Sequence, residues 1–256
     1  MKVGIIGHEG FVGSALSEAF AQDRECIVAG IGRRDYDAHI CEHFDILINA
    51  NGNSSKRLAD AKPEDDFGMN AASTLRMLLD FQCDHYVHIS TVEVYNDKSR
   101  QETTREDARI EPSALTNYGF SKYVGEMVAR KYAKKCLVLR LAGMVGKNMK
   151  KGPAYDIMNG GKIFISRKSR LHFIDTSEVA AIAKRLVDLG KWGETYNVVG
   201  KGAVSLEEFA KIAGVELTGD GAELVEFGVS TEKIERIAAI PTSLETVAMF
   251  AGRARE

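Results

Sequence analysis

The sequence has no long apolar run, no excess of one charge and no paired cysteines, and each absence removes a class of protein. No stretch approaches the roughly 20 apolar residues needed to span a bilayer, so no membrane partner is expected. Lys and Arg number 34 against 36 Asp and Glu, a formal net charge of −2. No basic face is therefore advertised for nucleic acid or anionic lipid. Cys26, Cys41, Cys83 and Cys136 are scattered without a paired spacing; free thiols and a reducing, cytoplasmic setting follow most simply. A strand pattern begins at Lys2, so no leader peptide is expected. Internal repeats and low-complexity tracts are missing as well. His39, Cys41 and His43 are of zinc-ligand type, but a structural site needs four ligands and no second cluster supplies the fourth. They read as solvated loop side chains, and no metal is expected.

What remains is a chain of 256 residues, 45% hydrophobic and 27% charged, which suits a soluble globular protein built on one large α/β domain. Lys2–Ile6 is an apolar run that ends in a glycine turn, after which Phe11, Val12, Ala15, Leu16, Ala19 and Phe20 recur at helical spacing. Further apolar runs lie at Cys26–Ile31, Asp45–Ala50, His85–Ile89 and Leu137–Leu139. Helices are marked by Ala71, Leu75, Leu78 and Leu79, by Tyr118, Val124, Met127, Val128 and Tyr132, and by Val179, Ile182, Ala183, Leu186 and Val187. Continuous apolar runs alternating with amphipathic helices predict a doubly wound parallel sheet of Rossmann type. Between Arg33 and Phe44 there is little room for a full helix, so that crossover is expected to be abbreviated. From Gly143 onward the pattern changes. Gly146–Gly161 is glycine- and lysine-rich and suits loops around a substrate, and the tail from Gly200 to Glu256 mixes short helices and strands. Residues 1–142 are thus expected to form a cofactor-binding core. Residues 143–256 are expected to complete that core and to form a small α+β substrate-binding region.

The turn reads Gly7-His8-Glu9-Gly10-Phe11-Val12-Gly13. Gly7 permits the tight turn, Gly10 a close approach, and Gly13 the contact between helix and strand, so that backbone N–H groups can meet a pyrophosphate. Phe11 and Val12 lie within this cofactor-binding stretch. Beyond the second strand, Arg33 is placed to pair with a 2′-phosphate and Arg34 is a second candidate, which makes NADP the preferred cofactor. The alternative is NAD, with Asp35 accepting from the ribose. Asn49, Ala50 and Asn51, and then Gly52 and Asn53, end the third run and are placed to line the cofactor cleft.

Tyr118 and Lys122 are four residues apart, hence on one helix face. A neighbouring ammonium would favour the phenolate and bring Tyr118 toward working pH as a proton donor or acceptor, while Lys122 held the nicotinamide ribose. Thr91 would orient the reacting oxygen. With these residues in order, the chain resembles the extended short-chain dehydrogenase/reductases, or NAD-dependent epimerase/dehydratase family. The matching pieces are the glycine turn, Asp45–Ala50, Asn70 opening a helix, His88–Tyr95, Tyr118-Gly-Phe-Ser-Lys122, Leu139-Arg-Leu141, Phe173–Ala180 and Tyr196-Asn-Val198. The resemblance implies Thr91, Tyr118 and Lys122 as the catalytic set. Many relatives dimerise through a four-helix bundle that includes the tyrosine–lysine helix, and the composition neither supports nor excludes a homodimer here.

Departures from the family pattern narrow the chemistry. Relatives that dehydrate sugars carry an Asp-Glu pair after the threonine; here Val92 replaces the first member, and a valine cannot protonate a leaving hydroxyl. Glu93 keeps the second position, either as a base or sugar ligand or as a solvent-facing residue. Leu141-Ala142-Gly143 stands where sugar-nucleotide enzymes often place an asparagine. Lys168 and Arg170 are candidates for a phosphate and equally for surface charge. The expectation is an NADPH-dependent keto reductase acting on a nucleotide-activated or related sugar. The alternatives are a nucleotide-sugar epimerase with tightly bound NAD and a non-catalytic NADP-sensing protein.

Overall fold

Apolar runs become strands and amphipathic stretches become helices in the computed structural model, which describes residues 1–160 and 163–253. The first half of the chain gives β1 (Lys2–Ile6), α1 (Phe11–Ala21), β2 (Ile27–Ile31), β3 (His43–Asn49), α2 (Lys56–Ala61), α3 (Pro63–Phe67), α4 (Ser73–Asp80), β4 (Gln82–Thr91), α5 (Asn117–Tyr132) and β5 (Cys136–Leu141). The second half gives β6 (Gly143–Val145), α6 (Pro153–Met158), β7 (Arg170–Leu171), β8 (Phe173–Asp175), α7 (Thr176–Asp188), β9 (Thr195–Val198), β10 (Val204–Ser205), α8 (Leu206–Ala213), α9 (Glu232–Glu235) and α10 (Ser243–Arg253).

Six strands form one parallel sheet in the order β2-β1-β3-β4-β5-β9. Side chains alternate between its faces. Val3, Ile5, Ile46, Ile48, Val87, Ile89, Leu137 and Leu139 pack against Leu16 and Phe20 of α1 and Val179, Ile182 and Leu186 of α7. Leu47, Tyr86 and Val138 face Met77 of α4 and Ala129 of α5 on the other side. Both faces are covered, which is why the strands read as unbroken apolar runs.

The crossover from β2 to β3 is short, as expected: it holds only the 3-10 turn Tyr36–His39. Among the described residues no strand lies beyond β2, which becomes an open edge with Ile27 71% exposed. Strand limits differ from the apolar runs by backbone pairing alone. β4 reaches from Gln82 to Thr91 because the polar residues at its ends still pair with β3 and β5. The Gly146–Gly161 stretch contains α6, opened by Pro153 at its first turn, where a missing N–H costs nothing; Gly161 and the last residues of the tail, Ala254 to Glu256, lie outside the described residues. The short β6–β8 and β7–β10 ladders, with α6, α8 and α10, enclose a second core around Val145, Ile157, Phe173, Phe209 and Val247. α7 and β9, although late in the chain, belong to the first core.

All four cysteines are free thiols. Among the described residues no helix is long and apolar enough to cross a membrane. His39 pairs with Glu42 at 2.6 Å and Cys41 is exposed, so the three candidate ligands of the loop do not converge. His43, Asp45 and Asp84 do bring ligand atoms within 4.8 Å of one another. Their capacity is already drawn upon: Asp45 accepts the Lys2 N–H at 2.6 Å, and Asp84 faces His43 and Lys134 at 3.4 and 3.7 Å.

Two histidines are buried in their neutral form. His172 donates from Nδ1 to the Gly200 carbonyl (2.7 Å) and accepts the Val229 N–H at Nε2 (3.0 Å), stitching the second core together. His88, on β4 beneath α5, has no hydrogen-bond partner at either nitrogen among the described residues. Burial, reinforced by the Lys122 ammonium, pushes its pKa down to about 3. A histidine whose folded pKa lies below the unfolded ~6.5 stabilises fully above 6.5, and that contribution is lost as pH falls towards 3. Replacing His88 by Met should therefore flatten the acid limb of stability. Between pH 6.5 and 5 the wild type should lose about 2 kcal/mol more than H88M in urea unfolding; equal losses would place the acid sensitivity elsewhere.

Candidate active site

β1 pairs with β2 on one side and β3 on the other, so the chain leaves its C-terminal end in opposite directions and opens a crevice there. Gly7, at φ +79°, makes the turn and donates its N–H to the Ile31 carbonyl at 2.9 Å. A Cβ on Gly13 would lie 2.0 Å from the Gly7 oxygen, so only glycine lets α1 press onto the end of β1. The N-cap of α1 is Gly10, which offers no side-chain cap. The first amides of the helix are therefore left for another acceptor. This cradle fits a dinucleotide pyrophosphate. Phe11 and Val12, half-buried, begin the helix behind it.

Its opposite wall is backbone. A Cβ on Gly7 would stand 3.1 Å from the Ala50 carbonyl carbon and the Asn51 nitrogen. Asn49 works behind that wall: buried, it donates to Thr74 Oγ1 (3.3 Å) and accepts the Asn51 N–H (3.0 Å). Asn53 is turned away as well, donating to Asp66 at 2.6 Å. Beyond β2, Arg33 and Arg34 are exposed and make no ion pair among the described residues. Asp35 spends one carboxylate oxygen on the Gly32 N–H at 2.7 Å. The sequence reading overlooked His8, whose ring lies against Gly30, where a Cβ would be 2.6 Å away.

Across the crevice α5 begins at Thr116, whose hydroxyl accepts the Gly119 N–H at 3.2 Å. A Cβ on Gly119 would lie 2.5 Å from the Glu93 carbonyl, so the first turn of α5 rests directly on the residues that follow β4. This contact brings Thr91, Glu93, Tyr118 and Lys122 together, all buried. Lys122 donates to the Ile89 carbonyl at 2.8 Å, and burial pushes its pKa down to about 8.

The protein's own surroundings favour the protonated form of the tyrosine. Burial holds the Tyr118 phenol well above its ordinary value, Thr91 pulls the other way through a hydrogen bond, and the Glu93 and Asp66 charges add to the rise. Tyr118 is thus protonated in the protein. Glu93 is not the solvent-facing residue that the strand-end pattern allows. It is buried, its N–H donates to Thr91 Oγ1 at 3.2 Å, and its carboxylate is held by Lys56 and, at 3.3 Å, by Lys98.

Two buried polar networks hold this set in place. On α5, Glu126 is fully buried and takes a fork from Arg140 of β5 (3.0 and 2.8 Å), with Ser90 at 2.6 Å and Arg130 at 3.0 Å. These partners hold its carboxyl down at about 2 against the cost of burial. On α3, Asp66 accepts from Asn53, Asn70 and Ser121. Asn70 does not open a helix: it lies inside a π-helical segment, Gly68–Ala72, that joins α3 to α4. Such bulges occur often at functional sites. Arg170 faces away from the crevice, paired with Glu208 at 3.3 Å and the Ala203 carbonyl at 2.6 Å, and Lys168 is exposed.

The model of the NAD dependent epimerase/dehydratase family matches residues 3–199. The chain belongs to that family. No curated relative matches the sequence. Among solved structures, UDP-glucuronic acid 4-epimerase from Bacillus cereus, in complex with UDP-glucuronic acid and NAD, superposes with a TM-score of 0.84 at 18% identity, covering 100% of this chain and 99% of the other. A dTDP-4-dehydrorhamnose reductase from Clostridium acetobutylicum gives 0.83 at 15% identity, covering 100% of both chains. The same reductase from Bacillus anthracis, in complex with NADP, gives 0.80 at 17% identity over 98% of each chain. At such identities these likenesses establish the fold.

In this epimerase/dehydratase family member the arginine of Leu139-Arg-Leu141 faces α5 and not the crevice. The β4–β5 register pairs Ser90 with Arg140, which puts both on the side where Glu126 lies. Neither Asp66 nor Glu126 was singled out from the sequence, though Asp66 and Asn70 share an i, i+4 spacing. Arg140→Met should destabilise the protein by about 3–5 kcal/mol by stranding the Glu126 charge, and the double change Glu126→Leu, Arg140→Met should recover much of the loss. Denaturant titration of the three variants reads this directly; a double variant less stable than R140M would contradict it.

Proposed function

We propose that this protein is an NADPH-dependent reductase of a keto group on a nucleotide-activated or related sugar. The observation that carries the reading is the meeting of the Thr91 and Tyr118 hydroxyls and the Lys122 ammonium at the end of β4, across the crevice from the glycine cradle. When bound, the nicotinamide supplies a hydride to the carbonyl carbon. Tyr118, kept protonated by burial, gives its proton to the carbonyl oxygen. Thr91 hydrogen-bonds the same oxygen and fixes its direction. Lys122 has N–H groups beyond the one given to Ile89 and would hold the nicotinamide ribose.

Two features favour plain reduction over dehydration. Val92 has no proton to give, and Glu93 is clamped between lysines instead of being free to take one. The preference for NADP is supported by Arg33 and Arg34, unpaired at the end of β2, and by Asp35, whose carboxylate already serves the turn. Gly7, Gly10, Gly13, Ala50 and Asn51 would line the rest of the cofactor site. Solved neighbours are in complex with NADP in one case and with NAD in another, so the preference rests on the two arginines. In this reading residues 1–142 carry the cofactor, and residues 143–256 add α7 and β9 to that core and supply the substrate side. A homodimer through α4 and α5 is part of the same proposal. Phe120 and Met127 are exposed on α5, beside Phe67 at the end of α3 and Met69 in the π-helical segment before α4, and Phe67 stacks on Phe120 at 6.4 Å.

Tyr118→Phe should lower NADPH-linked turnover of a keto sugar by about 10²–10⁴-fold and leave NADPH affinity within about twofold. Full activity in that variant would end the assignment. Arg33→Ala should weaken NADPH by about tenfold or more in fluorescence titration and leave NADH nearly unchanged. Equal losses for both cofactors would argue against a 2′-phosphate site at the end of β2.

A further inference from the structure

Glu93 lies beside Thr91, and both its oxygens are taken. Lys56, the first residue of α2, holds Oε1, and Lys98, in the loop after β4, stands 3.3 Å from Oε2. Neither lysine makes another ion pair among the described residues. Lys98 makes only a long bond to the Tyr95 carbonyl, at 3.5 Å. Two positive charges thus meet one negative charge, leaving a surplus of one. That surplus lies beside the reacting groups, since Glu93 is bonded through its N–H to Thr91 and lies under the first turn of the Tyr118 helix.

The two lysines differ in how they are held. Lys98 is 22% exposed, whereas Lys56 is 56% exposed, with its ammonium 5.8 Å from the centre of the Phe227 ring in the C-terminal region. Lys56 therefore stands between the two sides of the cleft mouth. The Lys56 end of the pair stands half in solvent, so its ammonium can turn to a second anion while Lys98 keeps the buried Glu93 carboxylate paired. The phenyl ring excludes water on one side of the ammonium and strengthens its attraction for that anion. A neutral sugar would leave the surplus charge unanswered.

We propose that the substrate carries an anionic oxygen group near its reacting carbonyl, which Lys56 receives in exchange for Glu93 while Lys98 retains the Glu93 carboxylate. The inference rests on the sugar-reductase reading and names its substrate class: a sugar with an acidic substituent, or one whose carrier phosphate reaches this point. Lys56 is then a specificity-determining residue and Glu93 its resting partner.

Isothermal titration of the full chain, first with NADPH and then with UDP-glucuronate, UDP-glucose and UDP, tests this. UDP-glucuronate should bind about tenfold more tightly than UDP-glucose, the size of one charge-assisted hydrogen bond, and Lys56→Met should abolish the difference while Lys56→Arg retains it. If Lys56→Met instead weakens UDP itself by a similar factor, the anion is the carrier phosphate and the proposal stands with that source. A wild type that does not prefer the acidic sugar and whose UDP affinity ignores Lys56→Met overturns it, and so does failure to bind any of the three. The NADPH titration separates the two readings: normal NADPH binding with such a result removes only the anion site, whereas loss of NADPH binding removes the reductase reading too.

Discussion

The placement of α5 depends on a charge buried beneath it. Glu126 is fully enclosed between the helix and the sheet, and an isolated carboxylate there would be prohibitive. Arg140 makes it tolerable by a two-pronged bond, with Ser90 and Arg130 filling the remaining acceptor positions. Because Arg140 comes from β5 and Ser90 from β4, the pair fixes the helix against two strands at once. Tyr118 and Lys122 lie about two turns and one turn before Glu126 on the same helix, so their positions at the end of β4 follow from that anchor. Buried ion pairs add little net stability, but they disfavour every arrangement in which their partners are apart.

Burial is also what sets the protonation states of the site. Tyr118 stays protonated and Lys122 is pushed to about 8, both because charge is costly where they sit. The same low-dielectric surroundings raise the worth of the lysines that hold Glu93. Around this centre the fold is pared down. The crossover after β2 has shrunk to one turn, which leaves Arg33 and Arg34 on an open edge, and the C-terminal region is two short ladders with three helices around a small core.

Much of the fold was legible because it depends on local regularities. Unbroken apolar runs can only be strands covered on both sides, and Gly7, Gly10 and Gly13 announce their turn through the side chains they lack. The short crossover could be read from chain length. The family motifs also lay in order along the chain. By contrast, strand ends depended on backbone pairing, and the helix α6 was hidden in a stretch whose glycines and lysines suggested loop.

The sequence by itself determined the doubly wound sheet, the cradle at its first turn and the pairing of Tyr118 with Lys122 on one helix face, because periods of two and 3.6 residues are properties of the chain. Only the tertiary structure decided what surrounds those groups. It buried Glu93 and gave its two oxygens to Lys98, in the loop just after it, and to Lys56, from another part of the chain. It turned Asn49 and Asn53 behind the cleft wall, and it bonded the Lys122 ammonium to the Ile89 carbonyl. Most of these contacts join residues far apart in sequence, and their energies depend on burial, which no local pattern records.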